Sequence, residues 1–168
     1  MHWMNKGLSV GCRALLIALL VGLFSFARAA ESASEWISLG TRIHGGFGSF
    51  IPVGIRIGND ALRRLEAKPR DLLVTFYGGP MAPCPCIADG VMLSTGSSPG
   101  QGTLSIAAEP APADMLAVLV IKHRASGVSL RYSVAQRWLP SLLGWNKTLD
   151  AAGRFAAVMQ AENLFVVE

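Results

Sequence analysis

Residues 84–104 have the sequence CPCIADGVMLSTGSSPGQGTL, and this stretch decides the fold. Four of its residues share one face of a helix, at the spacing i, i+3, i+4 and i+7: Cys86, Asp89, Gly90 and Leu93. Gly96 ends that pattern in the way that a C-terminal helix cap does. We therefore predict a helix over residues 85–94, followed by a glycine-rich turn.

Upstream of this helix, the chain carries a strand pattern and a second helix pattern. Residues 72–77 (LLVTFY) are a short apolar, β-prone run between polar and Gly-Pro boundaries, which predicts a buried strand. Residues 53–67 have apolar and small residues at helical spacing, and Lys68-Pro69 ends that pattern, so we predict the first helix there. The glycine-rich residues 41–54 predict a loop that opens into this helix.

Downstream, the strand patterns dominate. Residues 103–107 predict a strand, and residues 115–122 and 128–134 predict a hairpin. The order helix, strand, helix, strand, strand, strand predicts an α+β domain, with packed helices on a mixed β-sheet. Beyond these strands the pattern weakens. There we predict a packed turn region around the tryptophans, a short helix over 151–160 and a final strand or docking tail over 164–167.

The first thirty residues predict a removable signal peptide. Lys6 and Arg13 precede an apolar run over residues 14–24, and the small-residue pattern Ala27-Arg28-Ala29-Ala30 follows it. The run is too short to cross a membrane, which takes about 20 apolar residues. We therefore expect a periplasmic or secreted protein without a stable membrane anchor after cleavage.

The remaining residues 31–168 are predicted to form a single domain, with a core over about 41–135 and a C-terminal extension over 136–168. Three of the fifteen Lys and Arg residues belong to the leader, whereas all eleven acidic residues follow it, so the domain is close to neutral. No basic cluster with interleaved aromatic residues indicates a nucleic-acid surface, and we expect no nucleic-acid partner. The sequence has no Gly-x-Ser-x-Gly nucleophile elbow between a predicted strand and a following helix, and His-Glu-x-x-His and P-loop patterns are absent from it.

Cys84 and Cys86 are the two cysteines that follow the leader. Three interpretations stay open for them: metal ligands, a redox-active disulfide or buried thiols. An oxidising compartment favours pairing, but a bridge between residues i and i+2 closes a small, strained ring. His44 precedes two glycines and is either a hydrogen-bonded turn residue or a ligand. One His nitrogen with two thiolates suits zinc or copper(I), and a nearby helix N-terminus favours the thiolate form.

Over residues 43–131 the chain resembles the FmdE family, a domain first known as a non-catalytic component of formylmethanofuran dehydrogenase. Family members have a Cys-x-x-Asp-Ala segment that leads through a helix into Thr-Gly-x-Thr-x-Gly-x-Gly-x-Leu, and residues 86–90 and 95–104 match it closely. Their other motif, His-Gly-His-x-Cys-Pro-Gly at the first helix, is matched only in part. His44, Gly45 and Gly54 keep their places.

Three positions depart from the family pattern. Gly46 stands where the second family histidine would be, Gly48 where the first family cysteine would be, and Ser97 at a loop position that is often cysteine. Cys84, two residues before the family-matching Cys86, either compensates for these losses or belongs to a site that has decayed.

The resemblance implies a metal site that includes His44 and Cys86, and this sequence adds Cys84 as a third ligand; the donor set suits zinc or copper. The resemblance also implies three cofactor-binding residues: Asp89, Thr95 and Gly96. Asp89 either orients a metal ligand or satisfies backbone N–H groups of the first motif's loop, and of these two roles we favour the structural one. We predict that His44 approaches Cys86, and Cys84 with it, because each segment begins a helix at the same end of one sheet.

These observations predict a periplasmic module that binds a transition metal or a metal-containing ligand, in metal handling or as an accessory redox component, and is not an enzyme by itself. The resemblance also implies a homodimer, and the role implies a periplasmic redox or metal-handling partner. Two alternatives stay open. One is a small thiol- or metal-dependent redox enzyme that uses the cysteine pair, and the other is an interaction domain with a decayed metal site.

Overall fold

The structure, a computed structural model, describes residues 31–168, and the predicted signal peptide lies outside the described residues. Residues Ser32–Glu168 form one compact unit. Its helices are α1 (Ala33–His44), α2 (Phe50–Arg64), α3 (Cys86–Thr95), α4 (Leu139–Thr148) and α5 (Ala151–Gln160). Its strands are β1 (Leu72–Gly78), β2 (Leu104–Ile106), β3 (Met115–His123), β4 (Ser129–Ala135) and β5 (Val166–Val167). None of the helices in this part of the chain combines the length and the apolar character that crossing a membrane requires.

The five strands form one mixed sheet in the order β2-β1-β3-β4-β5. β1 pairs with β2 in parallel, and the other neighbouring strands are antiparallel. Along β1, Leu72, Val74 and Phe76 are buried, while the residues between them are more exposed. This alternation shows that one face of the sheet packs against the helices in the hydrophobic core. The predicted α+β fold with a mixed sheet is confirmed.

Helices α2 and α3 are in direct backbone contact. A Cβ atom added at Gly54 would lie 2.0 Å from the carbonyl oxygen of Ile87, and one added at Gly90 would lie 2.0 Å from that of Ile51. One turn further along, a Cβ at Gly58 would lie 2.0 Å from the hydroxyl of Ser94. Only glycine lets the two helices approach this closely, so these positions fix how α3 lies on α2.

Asp60 joins α2 to the sheet. Its carboxylate accepts a hydrogen bond of 2.9 Å from the Tyr132 hydroxyl on β4 and pairs with Arg63 and Arg64. Burial raises the pKa of Asp60, but the hydrogen bonds outweigh it, so this pKa lies below its usual value. Burial, and then the contact with Asp60, raise the pKa of Tyr132 above its usual range. The carboxylate form therefore holds β4 against α2.

The C-terminal extension contacts α2 at Arg56, one turn before Asp60 on the same face of the helix. The Arg56 guanidinium donates to the carbonyl oxygens of Val158 and Ala161, at 2.7 and 2.6 Å, and lies 5.5 Å from the centre of the Phe165 ring. These carbonyls belong to the last turn of α5 and its C-cap residue, and that of Val158 also accepts a longer hydrogen bond of 3.4 Å from the Ala161 N–H. The extension is thus part of the domain's core packing.

Three sequence-based predictions were wrong in detail. Residues 41–44, predicted as loop, are the end of α1, a helix that was not predicted. α2 begins at Phe50 and ends at Arg64, three residues earlier at each end than predicted. The predicted turn region after β4 contains α4, because Pro140 lies in the first turn of a helix, where its missing N–H costs no hydrogen bond.

The glycine contact predicts a large effect of a single methyl group. Gly54→Ala and Gly90→Ala should each lower the free energy of unfolding by about 3 kcal/mol or more, because the added Cβ must push two helix backbones apart. Gly144→Ala is the matched control, since Gly144 is also helical and its added Cβ meets no atom within 4 Å. It should be neutral or stabilising by up to about 1 kcal/mol. Urea unfolding followed by circular dichroism measures all three, and equal stabilities would contradict the backbone contact.

Candidate functional site

The sequence predicted that the segment of His44 begins a helix. In the structure His44 is instead the last residue of α1. The helix stops because Gly45 takes the left-handed conformation (φ 85°) and its N–H donates to the carbonyl oxygen of Thr41 at 2.9 Å. Phe47 then turns back into the core, with its ring against Gly40, where a Cβ would lie only 2.6 Å from the ring edge. The imidazole is therefore fixed at the junction between α1 and α2.

The C-terminal extension also anchors this junction, through Asn146 and Arg154. The Asn146 side-chain oxygen accepts hydrogen bonds from the Ser49 N–H and hydroxyl, at 2.7 and 2.9 Å. Arg154 donates to the carbonyl oxygens of Phe47 and Asn146, at 3.1 and 2.9 Å. Sequence reasoning missed both anchors. They lie about a hundred residues from the segment that they hold, and neither belongs to a motif or a periodic pattern.

Cys86 is the first residue of α3 and is only 6% exposed, whereas Cys84 lies in the preceding loop and is half-buried. The two form a disulfide with a Cα–Cα distance of 5.4 Å. Of the three interpretations open for this pair, the structure shows the disulfide. The exposed Pro83 and Pro85 flank Cys84, so the bridge joins a buried residue to a partly buried one that packs against the edge of the core.

His44, Cys86 and Asp89 lie in one line of contacts. The Nε2 atom of His44 is 3.4 Å from the Cys86 sulfur, and its Nδ1 atom is 2.7 Å from a carboxylate oxygen of Asp89. The side chains of His44 and Asp89 are 33% and 35% exposed, so both are accessible to solvent, whereas Cys86 is buried. The structure thus brings together the histidine and the cysteine that the sequence proposed as ligands.

Asp89 decides which nitrogen of His44 faces the sulfur. A carboxylate accepts hydrogen bonds, so in the neutral imidazole the proton stays on Nδ1 and the Nε2 lone pair points at Cys86. Asp89 reaches this position because it is three residues after Cys86 on the same face of α3. Of the two roles considered for Asp89, this contact matches the orienting of a ligand.

Thr95 and Gly96 are not part of this group, because they lie at the opposite end of α3. The Thr95 hydroxyl is buried, donates to the Val91 carbonyl oxygen at 2.7 Å and accepts from the Ser97 N–H at 3.2 Å. Gly96 is the left-handed cap of the helix, with φ 68°. Both residues end α3 and start the turn towards β2, and a cofactor-binding role for them stays a prediction.

Gly46 and Gly48, the two positions that depart from the first family motif, have different surroundings. A Cβ added at Gly46 would meet no atom within 4 Å, and one at Gly48 would lie 3.4 Å from the Asn146 side-chain oxygen. There is room for a side chain at Gly46, but the chain supplies none. Within residues 31–168, no group of three or more His, Cys, Asp or Glu side chains is arranged so that it could hold a metal ion.

Comparison with known proteins gives one family. The model of "FmdE, Molybdenum formylmethanofuran dehydrogenase operon" matches residues 43–163, a span that includes His44, the cysteine pair and most of the extension. No curated protein matches the chain.

The Asp89 contact predicts a specific change at His44. Replacing Asp89 with Ala should shift neutral His44 from the Nδ1–H tautomer to a mixture, because nothing then holds the proton on Nδ1. Nitrogen-15 NMR of the imidazole, at a pH where it is neutral, measures the tautomer. His123, whose Nδ1 atom is 3.0 Å from the Ser126 hydroxyl, is the internal control and should not change. An unchanged His44 spectrum would show that Asp89 does not set the tautomer.

Proposed function

Because the chain belongs to the FmdE family, we propose that its function is to bind one transition-metal ion at His44, Cys84 and Cys86 when the cysteine pair is reduced. The observation that carries this proposal is the 3.4 Å separation between the His44 Nε2 atom and the Cys86 sulfur. The description of the family names a molybdenum formylmethanofuran dehydrogenase operon, which supports a metal-associated role.

The separation between these two atoms fits a shared metal. In a tetrahedral zinc site, bonds of about 2.05 Å to nitrogen and 2.3 Å to sulfur place the two ligand atoms roughly 3.6 Å apart. His44 and Cys86 therefore need only small side-chain adjustments to bind one ion. Asp89 would support such an ion indirectly, since a carboxylate on the far nitrogen orients the imidazole and raises its basicity.

Cys84, the proposed third ligand, can bind a metal only when the disulfide between Cys84 and Cys86 is reduced. A metal binds the thiolate form of cysteine, and the two sulfurs are at present bonded to each other. Reduction frees both sulfurs. Cys84 then stays close to Cys86, because the two residues are only two positions apart in the chain. Zinc and copper(I) are the metals that suit one imidazole and two thiolates, with a fourth position left for water or a partner's ligand.

We propose that the module acts in the periplasm, in metal handling or as an accessory redox component. The signal-peptide pattern of residues 1–30 supports export, and a disulfide is typical of oxidising compartments. Two observations favour other candidates. The disulfide itself favours a thiol-dependent redox function, and the glycines at positions 46 and 48 favour an interaction domain with a decayed site.

Metal binding can be tested on the mature protein purified without a histidine tag. The dithiol form should bind one zinc ion in competition with a chromophoric chelator under anaerobic conditions, and the disulfide form should not. Cys86→Ser should abolish binding, because the best-placed sulfur is lost. Cys84→Ser should weaken it, and Asp89→Asn should weaken it by about 10- to 100-fold through the orientation of His44.

The control is His123→Ala, which removes an imidazole outside the site and should leave the affinity unchanged. Elemental analysis of the purified protein gives an independent measurement of the bound metal. If the reduced protein binds no zinc or copper, the decayed-site interpretation takes the place of this proposal.

Export has its own test. If residues 1–30 are a cleaved leader, intact mass spectrometry of the protein from the periplasm or medium should give a chain that begins after Ala29 or Ala30. Replacing both Ala29 and Ala30 with Arg should block cleavage, because signal peptidase requires small residues at its site. A secreted chain that still begins at Met1 would refute cleavage.

A further inference from the structure

We propose that the Cys84–Cys86 disulfide is a thiol–disulfide exchange site, at which an external thiol attacks Cys84 and Cys86 is the leaving group. The exchange uses the same residues as the proposed metal site but needs no metal. Its substrate class is a thiol or dithiol, and the structure gives the reaction a direction.

Exposure decides which sulfur is attacked. An incoming thiolate must approach along the S–S axis from the far side of the sulfur that it attacks. Cys86 is only 6% exposed and packs in the core at the start of α3, whereas Cys84 is half-buried in a loop between two exposed prolines. Met81, earlier in the same loop, is 56% exposed and offers an apolar contact to an approaching partner. The external thiol therefore reaches the Cys84 sulfur.

The surroundings of Cys86 suit a leaving thiolate. As the first residue of α3, it lies at the positive end of the helix dipole, which favours negative charge. The His44 Nε2 atom lies 3.4 Å from its sulfur. With both ring nitrogens protonated and Asp89 accepting from Nδ1–H, the Nε2–H points at the sulfur on which charge forms and can donate the proton that Cys86 gains when the S–S bond breaks, which the lone pair of the neutral Nδ1–H tautomer does not do. The structure gives Cys84 neither feature, since it lies in the loop before the helix.

The reaction balances as two exchanges. In the first, a thiol bonds to the Cys84 sulfur, the S–S bond breaks, and its electron pair goes to Cys86, which gains a proton and becomes a thiol. In the second, another thiol attacks the external sulfur of the mixed disulfide and releases Cys84 as a thiol. The outcome is one external disulfide and a reduced Cys84–Cys86 pair, with two electrons and two protons transferred.

Reduction does not require the fold to open. The disulfide joins residues two positions apart, so it links no separate elements of the structure. Cys86 and its neighbours Ile87 and Ala88 are buried in the core, and the closest α2–α3 contacts at Gly54 and Gly90 are made with backbone carbonyl oxygens and not with the disulfide. The pair can therefore change redox state while His44 and Asp89 keep their positions.

The test uses the disulfide form of the mature protein, with a chelator present to keep it free of metal. Reduced glutathione is added, the reaction is quenched with acid, and tandem mass spectrometry locates the mixed disulfide. We expect glutathione on Cys84, in about tenfold or greater excess over Cys86. A second arm uses a short peptide with two cysteines, which should leave the reduced pair and an oxidised peptide. Reaction of either thiol at Cys84 supports the proposal, and the faster arm identifies a small thiol or a protein dithiol as the source.

The variant His44→Ala tests whether His44 assists the departure of the Cys86 sulfur. The rate of reduction by glutathione should fall by about tenfold, while the adduct stays on Cys84 and the thermal unfolding midpoint changes little. His123→Ala is the matched control and should react at the rate of the unmodified protein. Adducts on Cys86, or equal amounts on both sulfurs, would overturn the assigned direction, and an unchanged rate in His44→Ala would overturn the role of the histidine. Zinc binding by the reduced protein is measured separately, so either proposal can fail while the other stands.

Discussion

The contact between α2 and α3 at Gly54 and Gly90 is the constraint on which the candidate site depends. Each glycine leaves space that the other helix's backbone fills, because a Cβ at either position would lie 2.0 Å from a carbonyl oxygen. This contact fixes the first turn of α3, which carries Cys86 and Asp89, relative to the start of α2. His44 lies just before that start, across the short turn that Asn146 and Arg154 hold in place. Three side chains from two distant segments meet because two helices touch.

The sequence predicted most of this fold because its signals are local. The apolar alternation of β1, the hairpin of β3 and β4, and the caps of α3 each lie within a few residues of the element that they define. The missed helix α1 also had a local signal, the capping box of Ser32 and Glu35, which the glycine-rich segment after it obscured. The bonds from Asn146 and Arg154 have no such signal. They join residues about a hundred positions apart, and only the folded chain shows them.

The sequence predicted correctly that His44 and Cys86 approach each other, but the reason given for their approach was wrong. His44 and Cys86 were expected to meet because each would begin a helix, yet His44 ends one. The prediction of their approach holds because the chain turns sharply after Gly45 and brings the C-terminal end of α1 to the N-terminal end of α3. The state of the cysteines could not be predicted, because the Cys-Pro-Cys spacing permits both a ligand pair and a disulfide.

One arrangement of side chains suits two states of the cysteine pair, and these states exclude each other. In the disulfide state, His44 and the start of α3 surround the sulfur that leaves on reduction. In the dithiol state, the same imidazole and the same sulfur lie at a separation that fits a shared metal ion. Asp89 serves both states, since it holds the Nε2 atom towards the sulfur in each. The family histidine and cysteine that are replaced by Gly46 and Gly48 would have supplied ligands in either redox state. With glycine at both positions, Cys84 and Cys86 are the cysteines that residues 31–168 offer as ligands, so the metal binding that we propose would depend on the redox state of the pair.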